Sequence, residues 1–221
     1  MGENFDIIVV GSGASGAVLA SRLTEDPALQ VLLLEAGADL PPTGATDAMK
    51  AVNPLTLWGD STYTFADAQA RRTADQAARF YPVGRGLGGG SAMNGMGAIR
   101  PSRQDFESWK AEYGCEGWEW KDVLPCLCRL ESDPLACSPQ HSSSSFPSSS
   151  SVPPSSDDSC HGSNGPIPIY RQPVETWGPV AAAMRSAALS MGYTEATDLN
   201  HPDATGLCNF PYNVRASASQ N

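Results

Sequence analysis

Basic residues are scarce in this chain: 14 Lys and Arg stand against 24 Asp and Glu in 221 residues, a formal net charge of −10. The sequence pI is about 4.6. A surface that tracks phosphate backbones needs clustered Lys and Arg, so nucleic acid is not an expected partner. Long apolar runs are missing too. The longest blocks are four residues, such as Ile7-Ile8-Val9-Val10, far below the ~20 needed to span a bilayer. Met1-Gly2-Glu3-Asn4-Phe5 leads straight into an apolar block with no signal-peptide regions. Asp6 stands where an acylated Gly2 would call for Ser or Thr. The six cysteines show neither C-x-x-C nor the His spacing of a zinc site. The expectation is a soluble cytoplasmic protein with reduced thiols, no metal and no membrane span. Nothing in the sequence fixes an oligomeric state.

What is present supports a core, since 41% of residues are apolar. Asp6–Val10 reads as a short β-branched strand, Gly11–Gly16 as a tight turn, and Ala17–Thr24 as a helix with Val18, Leu19 and Leu23 inward. Val31–Leu34 is a second apolar strand, ending at Glu35. Continuous apolar strands predict a parallel sheet covered on both faces. Pro41-Pro42, Asn53-Pro54 and Gly59-Asp60 make 38–83 an irregular excursion. Ser102 and Asp105 are spaced for a capping box on a helix to Tyr113. Another helix is expected from about Asp122, with Pro125 in its first turn and Leu124, Leu127 and Leu130 as its buried stripe. Cys126 and Cys128 fall on that helix, about 200° apart. Within 138–161, 12 of 24 residues are Ser and four are Pro, so a disordered insertion is expected. Order should resume near Gly165-Pro166-Ile167. A helix over Pro179–Met191 follows, stopped by Gly192, with Val180, Met184, Ala187, Ala188 and Met191 on its apolar side. The implied division is 1–137, an insertion at 138–161, and 162–221.

Gly11-Ser12-Gly13-Ala14-Ser15-Gly16 is G-x-G-x-x-G, preceded by a strand, followed by a helix and a second strand, with Glu35 nineteen residues beyond Gly16. Gly11 permits the turn, Gly13 lets backbone approach a pyrophosphate, and Gly16 allows close helix–strand packing. The helix N-terminus offers free N–H groups to phosphate. A carboxylate at Glu35 suits ribose hydroxyls and disfavours a 2′-phosphate. NAD and FAD remain open on this motif alone.

A second glycine-dense stretch, Gly84-Arg85-Gly86-Leu87-Gly88-Gly89-Gly90-Ser91-Ala92-Met93-Asn94-Gly95-Met96, resembles the flavin motif of the glucose-methanol-choline oxidoreductases. Glu35-Ala36-Gly37, Gly97-Ala98-Ile99-Arg100, Asp105-Phe106-Glu107-Ser108-Trp109, Gly117-Trp118-Glu119-Trp120 and Gly165-Pro166-Ile167-Pro168 extend the likeness over nearly the whole chain. The resemblance implies an α/β, Rossmann-like FAD-binding fold and oxidation of an alcohol with hydride passing to flavin N5. It implies that Gly11–Gly16, Glu35 and Ala36 hold the ADP half, and that Arg85, Gly88, Gly89 and Ser91 lie along the pyrophosphate. Asn94, Gly95, Met96 and Gly97 are expected to pass the isoalloxazine ring. Relatives with covalent flavin carry a histidine at the place of Met93, so noncovalent FAD is expected.

The family's catalytic base and its partner lie near the end of longer chains, and nothing in these residues matches them. The expectation is therefore an N-terminal fragment, with an incomplete sheet and no catalytic residues of its own. A light-driven fatty-acid decarboxylase of the same family and a non-catalytic flavin-binding fragment are the alternatives. Trp109, Trp118 and Trp120 are read as core residues, His201 as a surface turn, and His141 and His161 as solvent-exposed borders of the insertion.

Overall fold

The computed structural model describes residues 4–38, 46–50, 54–137, 160–196 and 198–215. The expected insertion lies outside the described residues except for its last two, Cys160 and His161. The chain divides into two compact units, 1–95 and 96–221.

In the first unit, β1 (Ile7–Val10) and β2 (Val31–Leu34) pair in parallel, Ile7 beside Val31 through Val10 beside Leu34. Parallel neighbours need a crossover, and α1 (Ala14–Leu23) supplies it. This helix starts three residues earlier than the apolar pattern indicates, inside the glycine motif, with Gly13 as its N-cap. Only Ala20 of α1 is buried, while Val18 and Leu19 are exposed. Ile8, Val10 and Leu34 are exposed as well, Val10 at 81%. The sheet is parallel as expected, but the described residues do not cover both its faces.

Among its described residues the excursion after Gly37 contains a helical turn, α2 (Asp47–Lys50), a 3₁₀ turn at Pro54–Thr56, and a two-residue pairing of β3 (Gln69–Ala70) with β4 (Arg79–Phe80). Its buried point is a cluster of Leu57, Tyr63 and Met93. Thr64 is 1% exposed and its hydroxyl donates to the Asp60 carbonyl, which fixes the loop that pairs with Gly84.

The second unit opens with α3 (Arg103–Tyr113), whose Ser102–Asp105 capping box is present as read. α4 (Trp120–Leu130) starts two residues before the expected point, at Trp120. Pro125 therefore sits inside the helix rather than in its first turn, where its missing N–H leaves the i−4 carbonyl without its usual donor. Leu124 and Leu127 are only half-buried and Leu130 is 47% exposed, so the expected stripe is not the helix's buried face, and Trp120 is its buried residue. Phe106 joins α3 to α4 through Trp120, 6.0 Å between ring centroids. Trp120 is buried, whereas Trp109 and Trp118 are half-exposed surface aromatics.

Two small pairings complete the unit: β5 (Glu131–Ser132) parallel to β6 (Ile167–Pro168), and β7 (Tyr170–Arg171) antiparallel to β8 (Pro211–Tyr212). The last helix, α5 (Pro179–Ser190), has no buried residue. Val180, Met184 and Met191 are 72%, 68% and 74% exposed, so its expected inward side faces away from the unit's core.

Candidate functional site

The two glycine stretches of the first unit are packed backbone to backbone. Gly16 lies so close to β1 that an added Cβ would stand 2.0 Å from the Gly11 carbonyl oxygen. A Cβ on Gly89, whose φ is +52°, would meet Gly13 Cα at 2.9 Å. The Gly88 N–H donates to the Ser12 carbonyl at 3.0 Å. A side chain at Gly16 would force open the first loop itself, and one at Gly89 would push the two loops apart, which is why each stretch is poor in them.

Glu35 joins the loops. Its carboxylate accepts from the Ser12 N–H (2.9 Å) and hydroxyl (2.7 Å), the Gly37 N–H (2.9 Å) and the Gly86 N–H (3.0 Å). These donors, the Ser12 hydroxyl foremost, lower its pKa to about 2. The residue expected to receive ribose hydroxyls is thus also the tie between the first and second glycine stretches.

Beside this tie lies a cavity of about 670 Å³, within the usual range for cofactor and ligand pockets. Gly11, Gly13, Glu35, Ala36, Gly89 and Asn94, all expected site residues, line it. A Cβ on Gly13 would meet nothing within 4 Å, so its missing side chain leaves open space. The first turn of α1 carries no acidic residue, and its free N–H groups favour an anion there. A diphosphate-bearing cofactor fits this chemistry: converging backbone donors, small residues, and no nearby acid except Glu35.

Other expected site residues are placed differently. Ser12, Ala14, Ser15, Gly16 and Gly88 build the loops without lining the cavity. Arg85 donates to the Ser61 carbonyl and sits 6.0 Å over the Phe65 ring. Ser91 donates to Gly88 within its own 3₁₀ turn. Gly95 ends the first unit, and Met96 and Gly97 open the second. The lining that sequence reading missed is apolar: Val10, Leu34, Phe65 and Tyr81-Pro82-Val83. A signal existed, since Val10 and Leu34 end the two parallel strands, where open α/β sheets bind ligands.

A second constellation was misread from the sequence. His161 is buried at 6% exposure, not a solvent-exposed border of the insertion. Its Nδ1 lies 2.8 Å from Glu131 Oε1 and its Nε2 2.8 Å from Asp198 Oδ2. With carboxylates on both sides, both ring nitrogens must be N–H donors, so the ring is an imidazolium. Burial alone would lower its pKa, but bonds to Asp198, Cys160 and Glu131 raise it to about 11. Burial likewise opposes the charged Asp198, and the bond to His161 with the Arg171 charge holds its pKa below the ordinary range. Arg171 grips Asp133 with two bonds of 2.8 and 2.9 Å and reaches Asp198 at 2.7 Å. Arg100 pairs with Glu131 at 2.6 Å and donates to the Cys160 carbonyl. The serine-rich composition just upstream hid His161, and the lattice around it draws on four separate stretches of chain, at Arg100, Glu131–Asp133, Arg171 and Asp198.

Comparison with known proteins decides the family. The GMC oxidoreductase profile matches residues 5–221. The chain belongs to the GMC oxidoreductase family. It is 33% identical over 204 residues to 5-(hydroxymethyl)furfural oxidase of Methylovorus sp., covering 89% of this chain and 34% of that protein. It is also similar to the crystal structure of pyridoxine 4-oxidase from Mesorbium loti, with TM-score 0.75 and 30% identity over 96% of this chain and 37% of that one. An FAD-dependent oxidoreductase from Chaetomium thermophilum gives TM-score 0.72 and 26% identity over 96% of this chain and 34% of that one. The chain thus spans about a third of the length of these relatives. The α/β fold and FAD as cofactor are those of GMC oxidoreductases. No helix among the described residues is long and apolar enough to cross a membrane.

Proposed function

We propose that this GMC oxidoreductase chain holds FAD noncovalently in the cavity between its two glycine stretches and serves the oxidation of a small alcohol. The observation that carries the reading is the Glu35 tie, which joins the Ser12 and Gly86 loops beside a cavity edged by Gly11, Gly13 and Gly89. The N–H groups opening α1 hold the diphosphate and Gly13 leaves room for it, while the Gly88 and Gly89 N–H groups are spent on the Ser12 and Gly86 carbonyls and fix the facing wall. Glu35 takes ribose hydroxyls by exchanging one of its present donors, since its four bonds already occupy the sites of a carboxylate. Val10, Leu34 and Phe65 exclude water from that half of the cavity. Asn94 offers an amide at the cavity wall. Bound FAD supplies the hydride acceptor at N5. The relatives named for oxidising hydroxymethylfurfural and pyridoxine support an alcohol as the substrate class.

Met93 supports noncovalent attachment. It is 4% exposed in the Leu57–Tyr63 cluster, and its thioether lacks the nucleophilic nitrogen of a histidyl link. Protein reconstituted with FAD should be yellow and should release all its flavin into the supernatant on acid precipitation. Flavin retained in the pellet would contradict the noncovalent reading.

A further inference from the structure

The Glu35 carboxylate is fully subscribed. Its Oε2 takes the Ser12 N–H and the Ser12 hydroxyl, and its Oε1 takes the Gly37 and Gly86 N–H groups. Four donors fill the four or so sites that a carboxylate offers. A hydroxyl arriving from the cavity can bind only as one of these donors leaves.

Three of the four donors belong to locked main chain. Ser12 is fixed by the Gly88 N–H, which donates to its carbonyl at 3.0 Å. Gly37 and Gly86 pack against each other so closely that a Cβ on Gly37 would stand 2.2 Å from the Gly86 nitrogen. The Arg85 N–H donates to the Tyr63 carbonyl at 2.7 Å and the Leu87 N–H to the Ala38 carbonyl at 3.4 Å, holding both neighbours of Gly86. Withdrawing any of these N–H groups from Glu35 would move a loop. The Ser12 hydroxyl needs only a turn about its own side-chain bonds.

A second acceptor for that hydroxyl is already in place. Ser12 Oγ lies 2.7 Å from Glu35 Oε2 and 3.4 Å from the Gly86 carbonyl oxygen. This carbonyl takes the Gly89 N–H at 2.9 Å, and its second lone pair can accept the hydroxyl. Ser12 is 0% exposed, so a released hydroxyl needs a protein acceptor rather than bulk water.

We propose that the Ser12 hydroxyl is a placeholder for a hydroxyl of the cofactor's adenosine ribose: it caps Glu35 before FAD binds, then turns to the Gly86 carbonyl as the ribose hydroxyl takes its site. Ser12 is thus a positioning residue that acts through Glu35, and the proposal rests on the FAD reading above. The exchange is hydroxyl for hydroxyl, so the carboxylate keeps four donors in both states and the two glycine stretches stay tied. The cost falls on Ser12, which trades a charge-assisted bond for a weaker one to a neutral carbonyl.

Removing the hydroxyl removes that cost. Ser12→Ala, shown to be folded by circular dichroism, should bind FAD about fivefold more tightly than wild type. An FAD analogue with a 2′,3′-dideoxy adenosine ribose should bind both proteins equally, because it has no hydroxyl to exchange. A Ser12 hydroxyl that served the fold alone would not tell the two ligands apart. Wild-type protein supplies a second reading that is independent of how the variant folds. Amide exchange at Ser12, Gly37 and Gly86 should be as slow with FAD bound as without it, or slower. If one of those amides exchanges faster with FAD, a backbone donor has left instead and the placeholder role is overturned. A folded variant that binds FAD no more tightly than wild type, or gains equally for the dideoxy analogue, overturns it as well, and the FAD reading stands. A wild type that takes up no FAD overturns the FAD reading and the proposal together.

Discussion

Glu35 and His161 are single residues whose charge state the fold fixes, and pH reads both. The Glu35 pKa is lowered from 4.5 to about 2 by its donors. A depressed carboxylate contributes stability that is complete above its unfolded pKa and is lost as pH falls through the folded one. The advantage of wild type over Glu35→Gln should therefore hold above pH 4.5 and fade toward pH 2; exchange at the Ser12 and Gly86 amides checks it. His161 is the reverse case, raised from 6.5 to about 11. Its contribution is complete below pH 6.5 and is lost as pH rises toward 11. Chemical unfolding should show His161→Gln less stable by about 3–5 kcal/mol at neutral pH, since it leaves three buried carboxylates facing only the Arg100 and Arg171 charges, with the gap closing in alkali. The place of Glu35 at the end of a strand was legible in the sequence. Its tie to Gly86, 51 residues away, was not, because such pairing depends on how the loops meet. His161 was read from its serine-rich neighbours, and the carboxylates that bury it are 30 and 37 residues distant in sequence.

Elements with strong local signals were legible nearly to the residue. The capping box set the start of α3, and the apolar blocks set β1, β2 and their parallel pairing. Where tertiary contact decides, reading from the sequence fell short. α1 begins within the glycine motif because Gly13 can serve as its N-cap, and α4 begins at Trp120 because that ring is buried against Phe106. The apolar side of α5 is legible as a pattern, but the described residues do not cover it. Pro125 offers a direct test of the α4 assignment. It is solvent-exposed inside the helix, so Pro125→Ala restores an N–H to the ladder and loses little packing. The variant should be more stable by about 1–3 kcal/mol in thermal or denaturant unfolding; a first-turn proline would give almost no gain.

At the scale of the molecule, the sequence carried the cofactor class and the family, since both depend on short backbone motifs that tolerate few residue types. The apolar half of the cavity was less legible, because Phe65 and Tyr81–Val83 come from an irregular stretch with no periodicity. The central claim is that FAD occupies the space left open at Gly13. That residue has φ −64°, and an added Cβ would touch nothing within 4 Å. Gly13→Leu should therefore leave the fold intact while filling the pyrophosphate end of the cavity. The deciding measurement is quenching of FAD fluorescence on titration with wild type and with Gly13→Leu, each shown to be folded by circular dichroism. The account predicts saturable quenching by the wild type, undisturbed by excess NAD, and at least about a hundredfold weaker binding by the variant, since a side chain there excludes the diphosphate from its donors. Equal quenching by the two proteins would contradict it.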